Sequence, residues 1–219
     1  MSGQEEMTSN PTPVYRFLHI DNLDTLIRRG SLHAPNHVPA DGLPYRFCHD
    51  PEVQGARSAV TITVGPGGSI HDYVPFYFGY LSPMMLKLKT GRVTGYNEGR
   101  EPLIYLVSTV QAIADAGLSF VFSDGHGLAF ITDWFDRLKR LDMVDWSMVY
   151  QQYWSDNLND MDRQRRKQAE FLVYQACPWS LIQEVVVINT AMRERVEAIQ
   201  AGFPGSERKM VKVERRWYY

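Results

Sequence analysis

Glu170 is the side chain of this sequence best placed to do chemistry. It follows a crowded basic run at residues 163–167 and directly precedes the apolar segment 171–174, which is typical of a buried strand. A strand holds a side chain more firmly than a loop does, so this position suits a carboxylate that must keep one geometry. The alternative is that Glu170 only neutralises the arginines before it, because charge runs are usually solvated faces.

His126 is the second candidate. It stands between Gly125 and Gly127, directly after a predicted strand at residues 119–124. The flanking glycines give the imidazole no local apolar support, so core packing explains it poorly. Because ordered loops beside strand ends often carry functional residues, the pattern favours a functional role for His126.

Other patterns that could do chemistry are weaker. His33 and His37 have the spacing of a metal pair on a helix, but Pro35 between them argues against that helix. The glycine-rich turn at residues 65–68 lacks both the Lys-Ser/Thr pair and the strand-to-helix context of a phosphate-binding loop. No Gly-x-Ser-x-Gly elbow, Walker loop, His-Glu-x-x-His motif or Cys/His cluster is present. The sequence therefore predicts no metal site.

The composition is that of an ordinary globular protein. The 219 residues are 44% hydrophobic and 22% charged, with a formal net charge of -2, so they predict one soluble domain without a global preference for nucleic acid. Two cysteines without zinc spacing predict a reduced, cytoplasmic protein. No apolar run approaches the roughly 18 residues of a membrane helix, which predicts no membrane partner. The polar start is no signal peptide, and residues 1–12 are predicted to be a disordered lead.

A mixed set of strands and helices must position the candidates. Alternating or aromatic-rich segments predict strands at residues 14–19, 59–64, 70–78, 102–108, 119–124, 170–174 and 184–188, and a last edge strand from 211–213 and 217–219. Capped periodic segments predict short helices after Asn22, after Ser82, and at 109–116 and 190–201, with one helical turn at 178–182. Residues 33–58 are proline-rich and predict a loop. From 132 to about 166 the apolar period becomes helical, which predicts amphipathic helices interrupting a β-rich chain.

This order of elements resembles that of ADP-ribosyltransferase folds, which are α+β: a split β-sandwich with a NAD cleft between its sheets and a glutamate late in the chain. Six blocks make the resemblance more specific: His19-Ile20-Asp21-Asn22-Leu23, residues 65–78, Ser82-Pro83-Met84, residues 101–108, residues 168–173 and Trp217-Tyr218-Tyr219. On these blocks the chain resembles the DarT family, the toxins of DarT–DarG toxin–antitoxin systems, which ADP-ribosylate bases in single-stranded DNA. The resemblance implies one ADP-ribosyltransferase domain at 13–219, with a helical substrate-presenting insertion at 132–167.

The resemblance also implies a catalytic set. Glu170 matches the family's catalytic glutamate, whose carboxylate would hold the nicotinamide ribose and stabilise the oxocarbenium-like state. Arg57 matches the second catalytic residue, whose guanidinium would orient the target base or the NAD phosphates. The position before it, often a second arginine in the family, is Ala56 here. His126 matches a histidine that serves the site.

NAD is implied as the substrate that supplies ADP-ribose, and no metal is implied. The residues expected to bind NAD are His19, Asp21, Asn22, Arg57, His71, Tyr73 and Tyr77. Arg16 stands where the family often has a histidine, which leaves open which side chain grips the adenosine ribose.

Single-stranded DNA is the implied second substrate. The residues expected to bind it are Arg163, Arg165, Arg166 and Lys167, along the phosphates, and Tyr153 and Trp154, which would stack on bases. The blocks look most like the thymidine-specific branch, which predicts transfer to a thymidine base, release of nicotinamide and a block to replication. A guanosine-directed member of the family and a catalytically silent NAD- or nucleic-acid-binding module are the alternatives. The implied protein partner is a macrodomain antitoxin that reverses the modification.

Overall fold

A computed structural model describes residues 11–219 of the chain. The strands are β1 (Pro13–His19), β2 (Ser31–His33), β3 (Tyr73–Tyr77), β4 (Leu103–Thr109), β5 (Phe120–Ser123), β6 (Trp134–Phe135), β7 (Glu170–Tyr174), β8 (Ala176–Pro178), β9 (Glu184–Val187) and β10 (Met210–Val213). The α-helices are α1 (Asn22–Arg29), α2 (Pro51–Ser58), α3 (Pro83–Lys89), α4 (Val110–Asp115), α5 (Trp146–Val149), α6 (Arg163–Arg166) and α7 (Thr190–Ala201). Short 3-10 helices lie at Pro35–His37, Ile70–Asp72, Leu138–Met143, Trp179–Leu181 and Arg215–Tyr218.

Eight of these strands form one sheet that is split in its middle. The order is β10-β9-β4-β1-β3-β7-β5-β6, antiparallel except for the pair β9 and β10. β1 pairs with β4 along all of its 7 residues, whereas it meets β3 at one described position, Tyr15 opposite Tyr77. The sheet therefore opens between β1 and β3, as a split β-sandwich requires, and the predicted α+β class is confirmed. β2 and β8 form a separate two-stranded sheet.

The opening unit folds as its sequence predicts. β1 ends at His19, and α1 follows from Asn22 after Asp21 at the N-cap position. α1 ends at Gly30, whose φ of 67° is a left-handed conformation that glycine adopts without a steric penalty. The helix buries its apolar stripe in the same core as β1 and β4, so β1 delivers the end of the opening block to a fixed place.

The core lies along the central strands. Every residue of β4 is buried, which explains its continuous apolar sequence. The first four residues of β7, including Glu170, are also buried. A charged side chain at the first position of such a strand needs a partner inside the protein, because an isolated buried charge is costly.

Two predictions between residues 33 and 64 are wrong. The predicted loop contains α2, because the Asp50 side chain accepts hydrogen bonds from the N–H groups of Glu52 and Val53 and Pro51 occupies the first turn. The predicted strand at 59–64 is irregular, with one isolated bridge from Thr61 to Ser69. The segment thus places a helix, not a strand, beside the split in the sheet.

The segment 132–166 differs most from its prediction. Instead of amphipathic helices it contains β6, one 3-10 helix and the short helices α5 and α6, joined by irregular chain. β6 pairs with β5 and so uses Trp134 and Phe135 as strand residues. Asn157 accepts hydrogen bonds from the N–H groups of Asn159 and Asp160, and such local bonds compete with a helix. Asp145 accepts from the Met148 N–H and caps α5, which spans only four residues.

The two chain ends are anchored in different ways. Most of the predicted disordered lead lies outside the described residues, although the Thr12 carbonyl already accepts from the Val110 N–H at 2.9 Å. β10 is the predicted edge strand, but Trp217 belongs to a 3-10 helix and not to that strand. Tyr218 is fully buried, and its hydroxyl donates to carbonyls of β4 and β9, which explains the helical turn. Within residues 11–219, no helix is long and apolar enough to cross a membrane.

Candidate active site

Arg57 and Glu170 form a bidentate ion pair at the β7 position opposite Tyr77, the residue at which β3 meets β1. Arg57 comes from the end of α2 and Glu170 is the first residue of β7. The Arg57 Nη1 and Nη2 donate to the Glu170 Oε1 and Oε2 at 2.8 and 2.7 Å. The exposed fractions are 7% for Arg57 and 3% for Glu170, so water screens this pair little. The structure therefore brings the two predicted catalytic residues together.

The backbone of Glu170 is fixed from both sides. Its N–H donates to the Ser123 Oγ at 3.1 Å, and that hydroxyl donates to the Gly125 carbonyl at 2.7 Å. In the strand ladder Glu170 stands opposite Tyr77 of β3. Ser123 had no signal in the sequence beyond its place at the end of a predicted strand, yet it links Glu170 to the loop of His126.

Glu170 is ionised at neutral pH. Burial raises the pKa of the carboxyl, but the Arg57 guanidinium and the nearby His126 and Gly127 N–H outweigh burial and hold the pKa below its usual value. The same attraction outweighs burial at Arg57 and raises the pKa of that guanidinium. The site therefore presents a fixed negative charge that is already formed before a substrate arrives.

His126 lies beside this pair as a neutral imidazole. Burial lowers the pKa of His126, and the positive charges of Arg57 and Lys87 lower it further against the opposing effect of Glu170. The backbone N–H of His126 donates to the Arg165 carbonyl at 2.9 Å, and the backbone carbonyl of His126 accepts from the Thr132 Oγ1 at 2.8 Å. The structure therefore brings the third predicted catalytic residue to the Arg57–Glu170 pair.

Gly125 is needed for close packing of this loop. A Cβ at Gly125 would overlap the Arg165 Nη1 and would lie 2.8 Å from the Arg165 Cγ. We expect Gly125→Ala to push Arg165 away from Asp124, with which it pairs at 2.9 Å, to displace His126, and to destabilise the fold by about 1–3 kcal/mol. Thermal unfolding and steady-state kinetics would measure both effects.

Gly55→Ala is the matched control, because Gly55 lies in α2 and a Cβ added there would meet no atom within 4 Å. Alanine in a helix is favoured over glycine by about 0.5–1 kcal/mol, so this variant should be slightly more stable. A Gly125→Ala protein as stable and active as the Gly55→Ala protein would show that the loop accommodates a Cβ at position 125 without displacing Arg165 or His126.

The split between β1 and β3 is lined by groups suited to a polar ligand. Arg16 of β1 reaches across it, and its Nη1 donates to the Pro75 carbonyl at 2.9 Å. The Arg16 Nε and the His71 Nε2 are buried without a hydrogen-bond partner within the described chain. Burial lowers the pKa of His71, and Arg57 lowers it further. Buried polar atoms are normally satisfied, so these two nitrogens mark places that a bound ligand would occupy.

Tyr77 and Tyr73 have different roles. Tyr77 stacks on Phe17 across the split, with ring centroids 6.0 Å apart, and remains part of the lining. Tyr73 is fully buried, its hydroxyl donates to the Gly67 carbonyl at 2.7 Å, and burial raises its pKa to about 12. Tyr73 therefore holds the glycine-rich turn, and its contact with NAD stays a prediction.

In the block His19–Leu23, the His19 ring has one nitrogen without a hydrogen-bond partner, whereas the Asn22 side-chain amide makes hydrogen bonds with both its oxygen and its nitrogen. The His19 Nδ1 accepts from the Asp21 N–H at 3.2 Å, while its buried Nε2 lies 3.4 Å from a Glu98 carboxylate oxygen without hydrogen-bond geometry. Asn22 is buried, accepts from the Arg46 N–H at 2.6 Å and donates to the Arg46 carbonyl at 2.7 Å. Asn22 therefore positions the segment around Arg46, and its direct contact with NAD stays a prediction. The Asp21 carboxylate pairs with the Arg46 guanidinium at 2.7 Å.

The basic run before Glu170 is held by the protein itself. The Lys167 ammonium is buried and donates to the carbonyls of Val149 and Gln151 at 2.6 and 2.7 Å, and burial lowers its pKa to about 8. Arg165 pairs with Asp162 and Asp124, and Arg166 pairs with Asp145, Asp160 and Asp162. The structure thus places Lys167 on two carbonyls and neutralises Arg165 and Arg166 with carboxylates, while their contact with DNA phosphates stays a prediction.

Three predicted DNA contacts lie in more open positions. The Arg163 guanidinium donates to the carbonyls of Ser155 and Tyr153, and no carboxylate pairs with it in the described part of the chain. The Tyr153 ring is 80% exposed. Trp154 is half-buried, and its Nε1 donates to the Tyr219 hydroxyl at 2.8 Å. Within residues 11–219, no group of three or more His, Cys, Asp or Glu side chains is arranged to hold a metal ion.

Comparison with known proteins gives one consistent family. A family model described as "DarT: ssDNA thymidine ADP-ribosyltransferase, DarT" matches residues 15–219. A DNA ADP-ribosyl transferase of Thermus sp. (strain 2.9) is 41% identical over 209 residues, which are 95% of this chain and 97% of that protein.

Solved structures are similar over nearly the whole fold. The structure of Thermus sp. 2.9 DarT in complex with ADP-ribosylated ssDNA superimposes with a TM-score of 0.89 at 40% identity, covering 95% of this chain and 97% of that one. The structure of Thermus sp. 2.9 DarT in complex with NAD+ gives a TM-score of 0.85 at 38% identity, covering 97% of this chain and 100% of that one.

Proposed function

Because this chain belongs to the DarT family of single-stranded DNA ADP-ribosyltransferases, we propose that it transfers ADP-ribose from NAD to a thymine base. It is an NAD-dependent DNA ADP-ribosyltransferase, and NAD is its substrate. The observation that carries the proposed chemistry is the buried, bidentate Arg57–Glu170 pair. Thymidine as the target rests on the description of the matching family model.

We infer that Glu170 stabilises the charge that develops as nicotinamide leaves. Breaking the bond between the ribose C1′ and nicotinamide places positive charge on the ribose, and a fixed carboxylate lowers the energy of that state. The fork from Arg57 uses two of the roughly four acceptor positions of the carboxylate, so the ribose 2′-hydroxyl can donate to Glu170 while the fork persists.

The acceptor base completes the transfer. The thymine N3 forms the new bond to C1′, and its proton leaves with assistance from Glu170. Arg57 orients the base or the phosphates of NAD through its planar guanidinium. His126, as a neutral imidazole beside the pair, can donate one hydrogen bond and accept another to hold these groups in line.

NAD is proposed to lie along the split between β1 and β3. The unsatisfied Arg16 Nε supplies a donor there, the unsatisfied His71 Nε2 donates or accepts according to the tautomer of the neutral imidazole, and Tyr77 supplies an aromatic wall. His19 is placed at the same end of β1 as Asp21, and its Nε2 is available to the adenosine ribose. This assignment gives the adenosine ribose to His19 and makes Arg16, which stands where the family often has a histidine, a donor within the split.

A single-stranded substrate fits the chemistry. In a duplex the thymine N3 is engaged in base pairing, and extruding a base costs a few kcal/mol. A bulky, charged ADP-ribose on a template base would block replication, so we infer a toxin that acts in the cytoplasm, where NAD and DNA are present. A macrodomain partner that removes the modification would be its antitoxin.

The test is incubation of the protein with NAD and single-stranded oligonucleotides that are identical except at one position. That position carries thymidine, guanosine, adenosine or cytidine. We expect a mass increase of one ADP-ribose on thymidine-containing single strands, equal release of nicotinamide, and little modification of the same sequence as a duplex. Modification of guanosine would favour the guanosine-directed alternative. NAD binding without modification of any strand would favour the catalytically silent module.

A further inference from the structure

Lys167 carries a buried positive charge that no carboxylate neutralises. Its exposed fraction is 4%, and its ammonium donates to the carbonyls of Val149 and Gln151 at 2.6 and 2.7 Å. Among the residues that the structure describes, no Asp or Glu pairs with it, whereas Arg165 and Arg166 each pair with two or more carboxylates. Because a buried ammonium without a counter-charge costs free energy, the stability of the fold alone explains this lysine poorly.

Lys167 and Arg166 hold the two ends of α5. The Asp145 carboxylate caps the start of this helix by accepting from the Met148 N–H at 3.0 Å, and Arg166 pairs with that carboxylate. Val149 is the last residue of α5, so its carbonyl has no partner within the helix, and the Lys167 ammonium supplies one. Two consecutive residues of the chain before β7 therefore fix the position and the direction of α5.

The Val149 carbonyl is in contact with the chain next to both strands that meet at the catalytic carboxylate. Lys167 binds it from a position three residues before Glu170, the first residue of β7. On β3, Tyr77 stands opposite Glu170, and Gly79 follows two residues later. A Cβ at Gly79 would lie 2.6 Å from the Val149 carbonyl oxygen. The end of α5 is therefore fixed relative to Glu170 from both strands.

The end of α5 leads directly into residues 150–154, which carry the aromatic rings predicted to stack on bases. At the near end of this segment, the Gln151 carbonyl is the second acceptor of Lys167. At the far end, the Trp154 Nε1 donates to the Tyr219 hydroxyl at 2.8 Å. The Tyr153 ring between these two anchors is 80% exposed. Lys167 is thus the side chain that connects this segment to the chain entering β7.

We propose that Lys167 is a positioning residue, which holds residues 150–154 at a fixed distance from Glu170 so that the acceptor base meets the ribose C1′ of NAD. This inference rests on the proposed function, because it assumes that Tyr153 and Trp154 contact the DNA substrate. The Lys167 ammonium keeps its two carbonyl partners when DNA binds and makes no phosphate contact. NAD binding does not depend on it, because the groups assigned to NAD lie along the split between β1 and β3.

The variant Lys167→Met tests the proposal, because it keeps an unbranched apolar side chain but removes both hydrogen bonds. We expect the KM for a single-stranded thymidine oligonucleotide to rise and kcat to fall, with a combined loss of about 100-fold in kcat/KM for the oligonucleotide, since small misplacements of a reacting group cost this much. The KM for NAD and the Kd for NAD without DNA should match the wild type. A variant that only loses folded protein would lower kcat and leave the KM of both substrates unchanged.

Lys209→Met is the matched control. Lys209 is also a buried lysine, with an exposed fraction of 5%, and its ammonium donates to the Ser180 carbonyl at 3.3 Å, but it packs on the Trp179 ring and not on α5. This variant should lose stability, measured by thermal unfolding, and keep the KM of both substrates. Lys167→Arg keeps the charge and several donors, so it should restore most of the kcat/KM for the oligonucleotide that Lys167→Met loses.

Gly79→Ala provides a second test if Lys167→Met does not fold. The added Cβ pushes on the Val149 carbonyl while Lys167 remains, so this variant should also raise the KM for the oligonucleotide and leave the Kd for NAD unchanged.

The outcomes separate this proposal from the proposed function. An unchanged KM for the oligonucleotide in Lys167→Met, an equal loss of NAD affinity, or the same change in Lys209→Met would overturn the positioning role while the wild type still modifies DNA. If the wild type modifies no oligonucleotide in the presence of NAD, the proposed function fails and this inference fails with it.

Discussion

Replacing Glu170 with glutamine is expected to reduce ADP-ribosyl transfer to DNA by two to three orders of magnitude. Glutamine has nearly the same shape but no charge, so it cannot stabilise the positive ribose as nicotinamide leaves, and losing one preorganised electrostatic group costs about 10²–10³ in rate. The carboxylate is ionised and fixed before the substrate binds, which is why its removal acts on the chemical step. Modified oligonucleotide per unit time at saturating NAD measures the effect.

The folding cost of this variant must be measured separately. Glutamine leaves the Arg57 guanidinium buried with one amide oxygen in place of a carboxylate, and breaking a buried ion pair costs about 3–5 kcal/mol. Glu184→Gln is the matched control, because Glu184 also begins a strand but pairs with the half-exposed Lys212. We expect the control to change stability by no more than about 0.5 kcal/mol and to keep full activity. A folded Glu170→Gln protein with activity within tenfold of the wild type would show that the charge of Glu170 is not needed for the transfer reaction.

Local signals in the sequence predict those elements whose partners lie nearby. α1 and α7 follow from caps and spacing, and β4 follows from a continuous apolar run. α2 carried a readable signal as well, since Asp50 followed by Pro51 is a helix start. The loop prediction for that segment failed because four prolines outweighed one cap.

Long-range partners decide the rest. The basic run shows its charges in the sequence but not the carboxylates that meet it: Arg166 pairs with Asp145, 21 positions away, in an irregular segment. Lys167 is buried because two backbone carbonyls of the α5 turn replace water around its ammonium. No periodicity identifies such contacts, so these cations resembled a solvated face.

The catalytic pair is the extreme case. Arg57 and Glu170 are 113 positions apart and meet because α2, packed on the 3-10 helix Ile70–Asp72 that leads into β3, ends at the first residue of β7. Residue types alone left Glu170 as either a counter-charge or a catalyst, and the structure shows that it is the counter-charge of Arg57, not of the arginines that precede it. Resemblance to a family was needed to select Arg57.

Replacing Arg57 with methionine should reverse the pH dependence that Glu170 imparts to stability. In the wild type the pKa of Glu170 is below its ordinary value of 4.5. The stability that the ionised carboxylate contributes to the fold is therefore fully present above an ordinary pKa of 4.5 and is lost as the pH falls through the lowered pKa. Without the guanidinium, burial dominates and raises the pKa. In the variant, the stability that the protonated Glu170 carboxyl contributes is present below the ordinary pKa of the group and is lost as the pH rises through the raised pKa. Chemical denaturation across the acidic range would measure both slopes.

The double variant Arg57→Met, Glu170→Leu isolates the carboxylate, because its pH profile retains His126 and the other titrating groups but lacks Glu170. Arg57→Met alone should lose about 3–5 kcal/mol at neutral pH, since it leaves an unpaired buried charge, whereas an apolar replacement of both partners is often close to neutral. We therefore expect the double variant to be more stable than Arg57→Met, with the difference shrinking as the pH falls and the lone carboxyl becomes protonated. Equal stability of the two variants at every pH would mean that Glu170 reaches water once Arg57 is gone, and that the pair is held by the protein less tightly than its burial indicates.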